Sequence, residues 1–600
     1  MVKRLIICTS ENNIRRAVAL AQQEDSHLVL AFNENTSEFA KNNIKIKTPS
    51  DYNLDKKLSA LPRLVYEHYA KWGDLRLNGA SLKDHLRTEG FDFWANAQAT
   101  FCDKLYVNKT PGLKFVLIFN EIFAAERPIE IFGDVTSHAG RAAKIVAAGL
   151  GIKFKTFGPQ MPKINLHPLL ARISHSLVLA KTKKINFPIN ERSGKKRIMF
   201  VLPLASSLQI VLPVIEALKE AFEIFCLIVE LSDNKSLEGN LREKNISYAT
   251  IQSYYSKHIA ARVAKLLKIY ARPDFSALRF DFLGFDVTDF VKDVLKFYFG
   301  SRKYVYEVAL VQELFKNAII TEQPKLIVTI DESSDLSKPM LDYAKSVGIK
   351  TLAIQHAFLE QYPAFSDTIS PDKIAAWGVT SAGQYAAQGF PAEQIITTGS
   401  PKFDSLAGQK FDAAAVAQKY GLGTNKKTIL FGSQPILESE LTTILNALIN
   451  YVNTNDLQLI IKLHPRENEK FYKKFVEQIK NKCIITKEDL HPLILFSDVI
   501  VINSSLVGLE AAILSKPVIL ANFSGLPDRL NYVSEGIALG AKSEIELRKF
   551  LDLLLDSPDA RAKLSEARQT FFEKQLRGLD GNSTERVVTV IGELLGAKKA

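Results

Sequence analysis

Short apolar runs alternate with longer stretches of helical periodicity along almost the whole chain. The runs have the length and the β-branched content of buried strands, and the stretches between them are long enough for helices. This alternation is typical of βαβ units, which build parallel sheets covered by helices. The predicted strands are Leu5–Ser10, His27–Phe32, Ile129–Gly133, Lys153–Gly158, 197–204, Glu223–Val229, Leu326–Ile330, Thr351–Gln355, Ile374–Trp377, 427–432, Leu457–Leu463, Cys483–Ile485, Val499–Ile502 and Pro517–Leu520.

One pattern occurs twice at identical spacing, each time between two predicted strands. It consists of an acidic turn, a helix and a glycine that ends the helix. Duplication of a Rossmann-like half explains the match. The order of strand, turn and helix that all βαβ units share explains it equally well. The two copies are Asp134–Thr136, Ala147 and Gly151–Lys153, then Asp331–Ser333, Ala344 and Gly348–Lys350.

The strands fall into three sets, which predict three α/β domains. A chain of 600 residues is long enough for that number. We expect an N-terminal Rossmann-like domain over 1–160, a basic linker over 161–196, a middle Rossmann-like domain over 197–390 and a C-terminal domain over 391–600.

The composition is that of a globular protein, with 46% hydrophobic and 24% charged residues, which excludes a disordered, collagen-like or coiled-coil chain. No run of apolar residues is long enough to cross a membrane, and the apolar start is too short for a signal peptide. The four cysteines are far apart, which favours a reducing compartment over disulfides or structural zinc. We therefore predict a cytoplasmic protein.

The net charge of +12 is concentrated between residues 161 and 200, where nine basic residues stand against the single acid Glu191. Nothing in this stretch resembles a nucleic-acid-binding motif, so no nucleic-acid partner is predicted. Two interpretations remain open for it. It is a solvated linker, or it attracts an anionic partner. That partner is an anionic acceptor or an anionic membrane surface on the inner face of the cytoplasmic membrane, where the apolar run 169–179 would aid binding.

Two strand ends in the last third carry polar residues suited to a phosphate. One strand ends in His464-Pro465-Arg466, and another ends in Ser504-Ser505 before a helix that contains Glu510. Ligands of doubly wound sheets lie beyond the carboxyl ends of the strands. Serines at a helix start expose backbone N–H groups to an anion, and histidine and arginine add donors and charge. Glu510, further along that helix, is predicted to accept hydrogen bonds from a ribose.

These motifs resemble the nucleotide-binding domain of GT-B glycosyltransferases, over roughly 320–600. They are most similar to bacterial surface-polymer enzymes: capsule Kdo transferases, polysialyltransferases and teichoic-acid glycerophosphotransferases. The resemblance implies two facing Rossmann-like domains, here with an additional N-terminal α/β domain. It also implies a cytidine-nucleotide donor whose phosphate is held by His464, Ser504 and Ser505.

Two further turns resemble donor-facing segments of the same enzymes. Glycines there would allow a phosphate to approach the backbone closely. The residues predicted to contact the donor are Gly399, Ser400 and Lys402 in the first turn, and Gly432, Ser433 and Gln434 in the second.

The middle domain offers the candidates for catalysis. One strand ends in Asp331 and Glu332, and the next ends in Gln355-His356-Ala357, where the similar enzymes carry Gln-His-Gly. Glycosyl transfer needs a base for the acceptor hydroxyl or a carboxylate nucleophile. Asp331, Glu332 and His356 are therefore the predicted catalytic residues, with Asp134 and His138 as a rival pair.

No metal or cofactor is predicted. The chain lacks the Asp-x-Asp motif of metal-dependent glycosyltransferases, and its histidines do not cluster at ligand spacing. The leading hypothesis is a glycosyltransferase that moves an acidic sugar such as Kdo from its CMP form onto a surface polysaccharide or lipopolysaccharide acceptor. The alternatives are a CDP-glycerol or CDP-ribitol polyol-phosphate transferase, a UDP-GlcNAc 2-epimerase-like enzyme and a non-catalytic glycan-assembly module.

Overall fold

Over the residues that it describes, the computed structural model contains three parallel sheets, one after another along the chain. We refer to the regions around them as the N-terminal, middle and C-terminal lobes. The structure describes residues 4–9, 13–23, 27–32, 37–52, 54–77, 79–88, 91–94, 112–157, 194–203, 206–229, 235–269, 275–296, 303–332, 334, 337–359, 371–406, 408, 411–436, 438–464, 467–479, 482–523, 528 and 531–596. The predicted basic linker lies almost entirely outside them.

The N-terminal lobe has a five-stranded sheet in the order β3-β2-β1-β8-β9, with two small hairpins, β4–β5 and β6–β7. Its strands are β1 (Arg4–Cys8), β2 (His27–Ala31), β3 (Ile46–Lys47), β4 (Arg76–Leu77), β5 (Ala80–Ser81), β6 (Arg87–Thr88), β7 (Phe91–Asp92), β8 (Glu130–Gly133) and β9 (Lys153–Thr156). Its helices are α1 (Ile14–Ala21), α2 (Ser37–Lys41), α3 (Asp55–Gly73), α4 (Leu82–His85), α5 (Gly112–Glu126) and α6 (His138–Gly149), with a 3₁₀ turn at Pro49–Tyr52.

The middle lobe has a seven-stranded sheet in the order β12-β11-β10-β15-β16-β17-β18 and the hairpin β13–β14. Its strands are β10 (Arg197–Leu202), β11 (Glu223–Ile228), β12 (Ser247–Thr250), β13 (Asp281–Phe282), β14 (Phe285–Asp286), β15 (Leu326–Thr329), β16 (Lys350–Ile354), β17 (Lys373–Ala376) and β18 (Ile395–Thr397). Its helices are α7 (Ser207–Leu218), α8 (Lys235–Glu243), α9 (Lys257–Ile269), α10 (Thr288–Leu295), α11 (Lys303–Glu322), α12 (Ser337–Ser346) and α13 (Val379–Ala387), with 3₁₀ turns at Ile251–Tyr254, Ala392–Gln394 and Pro401–Phe403.

The C-terminal lobe has a six-stranded sheet in the order β21-β20-β19-β22-β23-β24. Its strands are β19 (Thr428–Gly432), β20 (Gln458–Lys462), β21 (Cys483–Thr486), β22 (Val499–Ile502), β23 (Val518–Ala521) and β24 (Leu539–Ala541). The helices are α14 (Ala413–Tyr420), α15 (Glu438–Asn455), α16 (Glu469–Val476), α17 (Leu490–Phe496), α18 (Val507–Ile513), α19 (Glu544–Asp556), α20 (Pro558–Leu576) and α21 (Ser583–Leu594), with a 3₁₀ turn at Arg577–Leu579.

All three large sheets are doubly wound. In each, successive strands are added first on one side of the sheet's first strand and then on its other side. The strand order reverses between β1 and β8, between β10 and β15, and between β19 and β22. The predicted α/β fold with Rossmann-like lobes is therefore confirmed, including the additional N-terminal lobe. The repeated pattern occupies the same place in two sheets, because Asp134 follows β8 and Asp331 follows β15.

The N-terminal and middle lobes share one continuous hydrophobic core. The indole nitrogen of Trp72 in α3 donates to the carbonyl oxygen of Asp281 in the middle lobe, at 3.2 Å. Arg141 in α6 forms a 2.8 Å ion pair with Asp293 in α10. These contacts fix the N-terminal lobe against the middle lobe.

The last helix returns from the C-terminal lobe to the middle lobe. Val587, Val590 and Ile591 of α21 are buried in the core of the middle sheet. The carboxylate of Asp404 accepts hydrogen bonds from the backbone N–H groups of Ser583 (3.0 Å) and Thr584 (2.6 Å), so it caps this helix. The chain thus crosses between the two lobes at two adjacent places.

A glycine of the middle lobe that packs against α20 has no room for a side chain. A Cβ at Gly378, just after β17, would overlap the carbonyl oxygen of Lys574 and lie 2.5 Å from the carbonyl carbon of Gln575 in α20. Because both neighbours are backbone atoms, we expect Gly378→Ala to destabilise the protein by about 1–3 kcal/mol, the usual cost of overpacking. Urea denaturation measures this cost.

The matched control for that substitution is Gly383→Ala, five residues along in α13, where nothing lies within 4 Å of the added carbon. Alanine is the better helix former by about 1 kcal/mol, so this variant should gain stability. Equal stability of the two variants would contradict the close approach of Gly378 to α20.

Candidate active site

The strand order of the C-terminal sheet reverses between β19 and β22, and polar side chains from both strand ends meet there. The Gln434 side chain, after β19, donates to the Oδ1 of Asn503, after β22, at 3.3 Å. Asn503 is buried, and its Nδ2 donates to the carbonyl oxygen of Ala521 (2.8 Å) and to Glu440 (3.1 Å). Asn503 therefore fixes the crevice in which Gln434 and the following serines stand.

The two serines differ in their roles. The Oγ of Ser505 accepts a hydrogen bond from the N–H of Val507 at 3.2 Å, at the start of α18. The carbonyl oxygen of Ser505 accepts a 3.0 Å hydrogen bond from the buried Tyr532 hydroxyl. Ser504 is exposed at the strand end. Its hydroxyl therefore faces solvent, while Ser505 holds the turn.

His464 follows the neighbouring strand β20 and is half-buried. Its backbone N–H donates to the Glu467 carboxylate at 2.8 Å, which fixes the turn. Pro465 and Arg466, the other residues of the predicted motif, lie outside the described residues. Lys462, which ends β20, is half-buried, and its pKa is lowered chiefly by burial. Lys462 thus adds a positively charged side chain at the carboxyl end of β20, and this residue was not among those predicted for the site.

Glu510 has a different environment from the one expected of a ribose acceptor. One carboxylate oxygen accepts from Lys402 Nζ at 2.5 Å, and the other contacts His491 Nε2 at 2.8 Å. Burial raises the pKa of Glu510, but the hydrogen bond from His491 and the charge of Lys402 outweigh it, so the pKa lies below its ordinary value. Both oxygens of Glu510 are thus engaged, and its contacts tie Lys402 to the C-terminal lobe.

The glycines predicted to admit a phosphate are packed against protein instead. The space of a side chain at Gly399 is taken by Ser583, and the space at Gly432 is lined by Val507. Ser400 is buried, and the hydroxyl of Ser433 is engaged by Glu467 (3.1 Å) and by Tyr472. The structure thus packs these four positions against other groups of the protein.

The carboxyl end of β16 in the middle sheet carries an oriented histidine. The Nδ1 of His356 lies 2.6 Å from the carbonyl oxygen of Ile330, which follows β15. A carbonyl oxygen only accepts, so Nδ1 carries the proton and Nε2 is the basic nitrogen. The ring is exposed. This arrangement suits a general base that takes a proton from a bound hydroxyl.

The turn that carries His356 is held by its neighbour Gln355. The side-chain oxygen of Gln355 accepts from the N–H of Trp377 at 2.7 Å, and its carbonyl oxygen accepts from the Trp377 indole at 2.7 Å. The amide nitrogen of Gln355 donates to the carbonyl oxygen of Ala357 at 2.8 Å. The turn is thus rigid with alanine in place of the glycine of the similar enzymes.

The two predicted carboxylates have unequal surroundings. Asp331 accepts from the N–H of Ser334 and the hydroxyl of Ser337, both at 3.1 Å, and so caps the turn into α12. Glu332 accepts a 3.3 Å hydrogen bond from the buried Tyr385 hydroxyl. Burial, and secondly the charge of Asp331, raise the pKa of Glu332 to about 7. Glu332 is therefore the carboxyl that can exchange a proton near neutral pH.

An aromatic contact joins the two lobes beside these residues. Phe358, two residues after His356, packs edge-on against Trp377 (5.5 Å between ring centroids) and against Tyr532 (6.3 Å). Tyr532 is the residue that holds the Ser505 carbonyl. The carboxyl ends of β16 and β22 are therefore linked across the two lobes through one pair of rings.

The rival pair Asp134 and His138 lies in the N-terminal lobe, at the end of β8 and the start of α6. Asp134 is buried and accepts hydrogen bonds from Thr9 (2.5 Å) and from the N–H of Thr136 (3.0 Å). The His138 ring lies 6.3 Å from the ring of Phe290. The structure thus places this pair in a different sheet from His356 and His464.

Sequence reasoning missed several residues that organise this site: Lys462, Glu467, Tyr472, His491, Tyr385 and Tyr532. Only one carried a signal, since His491-Pro492 repeats the His-Pro dipeptide. The others act through contacts between distant parts of the chain. Within the described ranges, no group of three or more His, Cys, Asp or Glu side chains is arranged to hold a metal ion. No helix in the same ranges is both long and apolar enough to cross a membrane.

Comparison with known proteins adds one family. Residues 353–593 match the model of the family described as CDP-glycerol:poly(glycerophosphate) glycerophosphotransferase, which is 241 of the 600 residues. None of the curated proteins matches the chain in sequence. The matched part is thus similar to that family and holds the predicted residues His356, His464, Ser504 and Ser505.

Solved structures show more distant likenesses. UDP-GlcNAc 2-epimerase from Neisseria meningitidis, bound to UDP-GlcNAc, shares 14% identity, covers 66% of this chain and 100% of its own, and gives a TM-score of 0.46. A glycosyltransferase from Rickettsia africae shares 14% identity, covers 68% and 100%, and gives 0.43. Both are too distant to assign an activity. The family match itself supports a transferase domain over the matched residues.

Proposed function

We propose that the protein transfers a polyol phosphate, such as glycerol phosphate, from a CDP-activated donor to the hydroxyl group of a cell-surface polymer. The CMP-linked Kdo donor, the leading hypothesis from the sequence, has no support in the comparisons, whereas the family match names a CDP-glycerol enzyme. The proposal rests on the position of His356 at the carboxyl end of β16, where its ring is oriented by a backbone carbonyl. Phe358 packs against Tyr532, and Tyr532 in turn holds the Ser504–Ser505 turn of the C-terminal lobe.

In the proposed reaction the acceptor oxygen attacks the phosphorus that bears the glycerol. A new phosphorus–oxygen bond forms, the bond to the bridging oxygen of CMP breaks, and CMP leaves with that electron pair. Nε2 of His356 takes the proton of the acceptor hydroxyl. Little covalent chemistry is required of the protein in such a transfer, so positioning and charge stabilisation supply most of the rate.

The C-terminal edge supplies the groups that hold the donor. His464, the exposed hydroxyl of Ser504 and the Gln434 amide offer hydrogen bonds to the diphosphate. Lys462 adds positive charge nearby, and Arg466 follows in the same motif. Hydrogen bonds from charged groups are about twice as strong as neutral ones, so this edge favours an anionic donor.

We further propose that the basic stretch 161–200 holds the protein on anionic lipid. Each lysine near such a surface contributes about 1 kcal/mol. Replacing Lys181, Lys183 and Lys184 with Gln should therefore weaken sedimentation with phosphatidylglycerol vesicles, and the binding should fall with added salt. The control replaces the exposed lysines Lys470, Lys473 and Lys474. If both variants lost vesicle binding equally, the binding would depend on the net charge of the protein and not on the stretch 161–200.

The experiment that tests the proposed reaction is release of CMP from CDP-glycerol in the presence of a hydroxyl-bearing acceptor polymer. Chromatography of the nucleotides measures it directly. An epimerase or a non-catalytic assembly module would release no CMP.

A further inference from the structure

A single carboxylate joins three elements of the C-terminal lobe beside the donor edge. Oε2 of Glu467 accepts the backbone N–H of His464 at 2.8 Å. Oε1 accepts the hydroxyl of Tyr472 at 2.6 Å and that of Ser433 at 3.1 Å. The two hydroxyls lie 2.6 Å from each other. We call Glu467, Ser433 and Tyr472 the Glu467 clamp.

The clamp connects the ends of two neighbouring strands. Ser433 follows β19 and precedes Gln434 in the crevice, while His464 follows β20. Tyr472 in α16 is buried, and its pKa is raised by burial and by its hydrogen bond to Glu467. The phenol therefore keeps its proton and stays a donor. The Glu467 clamp thus joins the turn after β19 to the turn after β20, in addition to the backbone ladder that pairs the two strands as far as Gly432 and Lys462.

We infer that Glu467 is a positioning residue for the nucleotide, acting through the backbone of His464. The inference rests on the proposed function, in which His464 binds the donor. Glu467 contacts His464 through its main-chain N–H, so it fixes where the imidazole stands. If Glu467 only stabilised the fold, its loss would lower the melting temperature and leave the nucleotide affinity unchanged.

The test uses Glu467→Gln in the full-length protein, titrated with CDP by calorimetry. The amide retains the shape but only one acceptor oxygen, so it cannot accept from both the His464 N–H and the hydroxyls of Tyr472 and Ser433. We expect CDP to bind about tenfold more weakly, the effect of losing about 1.4 kcal/mol. The matched control is Glu469→Gln, an exposed glutamate two residues along, which should bind CDP as the native protein does.

A double-mutant cycle separates action through His464 from an independent effect. If Glu467 acts through His464, the Glu467→Gln/His464→Ala protein should bind CDP within about twofold of His464→Ala alone. Losses that multiply in the double variant, or full affinity in Glu467→Gln, would overturn the inference.

Tyr472→Phe is the second variant, for the case in which Glu467→Gln fails to fold. It removes one hydroxyl of the clamp and leaves the ring in the core, and we expect CDP to bind roughly three times more weakly, the loss of about one neutral hydrogen bond of modest net strength. Native affinity in Tyr472→Phe would count against the clamp. If the native protein binds UDP and not CDP, the cytidine proposal fails, and the same cycle with UDP still tests the clamp.

Discussion

Replacing His356 with Ala is expected to lower the rate of transfer at least a hundredfold and to leave CDP binding unchanged. General bases typically contribute about 10² to 10⁴ in rate. His356 stands at the carboxyl end of β16 with its Nδ1 proton held by the Ile330 carbonyl, so Nε2 is the nitrogen that can take a proton. Initial rates of CMP release, with a CDP titration of the same preparation, separate turnover from binding.

Two comparison variants sharpen this prediction. His138→Ala removes the histidine of the rival pair in the N-terminal lobe and should retain the native rate. Asp331→Asn should lower the rate of transfer less than His356→Ala does. It should lower the stability of the protein more, because both carboxylate oxygens of Asp331 accept hydrogen bonds from the turn into α12. A larger loss of rate in His138→Ala than in His356→Ala would move the catalytic site to the N-terminal lobe.

Replacing His464 with Ala is expected to remove most of the stabilisation that cytidine nucleotides give. At a hundredfold excess over its dissociation constant, a ligand stabilises the folded state by about 2.7 kcal/mol. A hydrogen bond to a charged group contributes roughly 1.5–3 kcal/mol, so loss of the His464 contact to phosphate cancels much of that gain. Thermal unfolding with and without CDP measures the difference.

The control for this variant is His258→Ala, an exposed histidine in α9 of the middle lobe. Its thermal shift with CDP should equal that of the native protein. The double variant Ser504→Ala/Ser505→Ala should show a smaller shift than the native protein and a larger one than His464→Ala. An unchanged shift in His464→Ala would exclude this turn from the donor site.

The strands of this fold could be predicted because buried parallel strands are continuous apolar runs, as in Val499–Ile502 and Leu326–Thr329. The strands β18 and β24 could not be predicted, because three residues are too few to show a pattern of apolar and polar positions. Polar residues that follow neighbouring buried strands could be predicted to share an edge of their sheet, and this argument predicts His356 for the middle sheet and His464 for the C-terminal sheet.

The partners of those residues could not be predicted from the sequence. Glu510 was expected to bind a ribose because nothing in the chain near it shows its contacts. Its partner Lys402 stands 108 residues earlier and reaches it only once the lobes are assembled. The adjacent Asp331 is a local sign of the raised pKa of Glu332, but the larger cause is burial, which arises only in the folded chain.

The most direct measurement of the central claim is CMP release by the native protein with CDP-glycerol and an acceptor polymer, compared with CMP-Kdo and UDP-GlcNAc as donors. We expect CMP to appear from CDP-glycerol only when the acceptor is present, in step with growth of the acceptor, and at least a hundredfold more slowly with the His356→Ala protein. Turnover of CMP-Kdo or UDP-GlcNAc, with none of CDP-glycerol, would contradict the account.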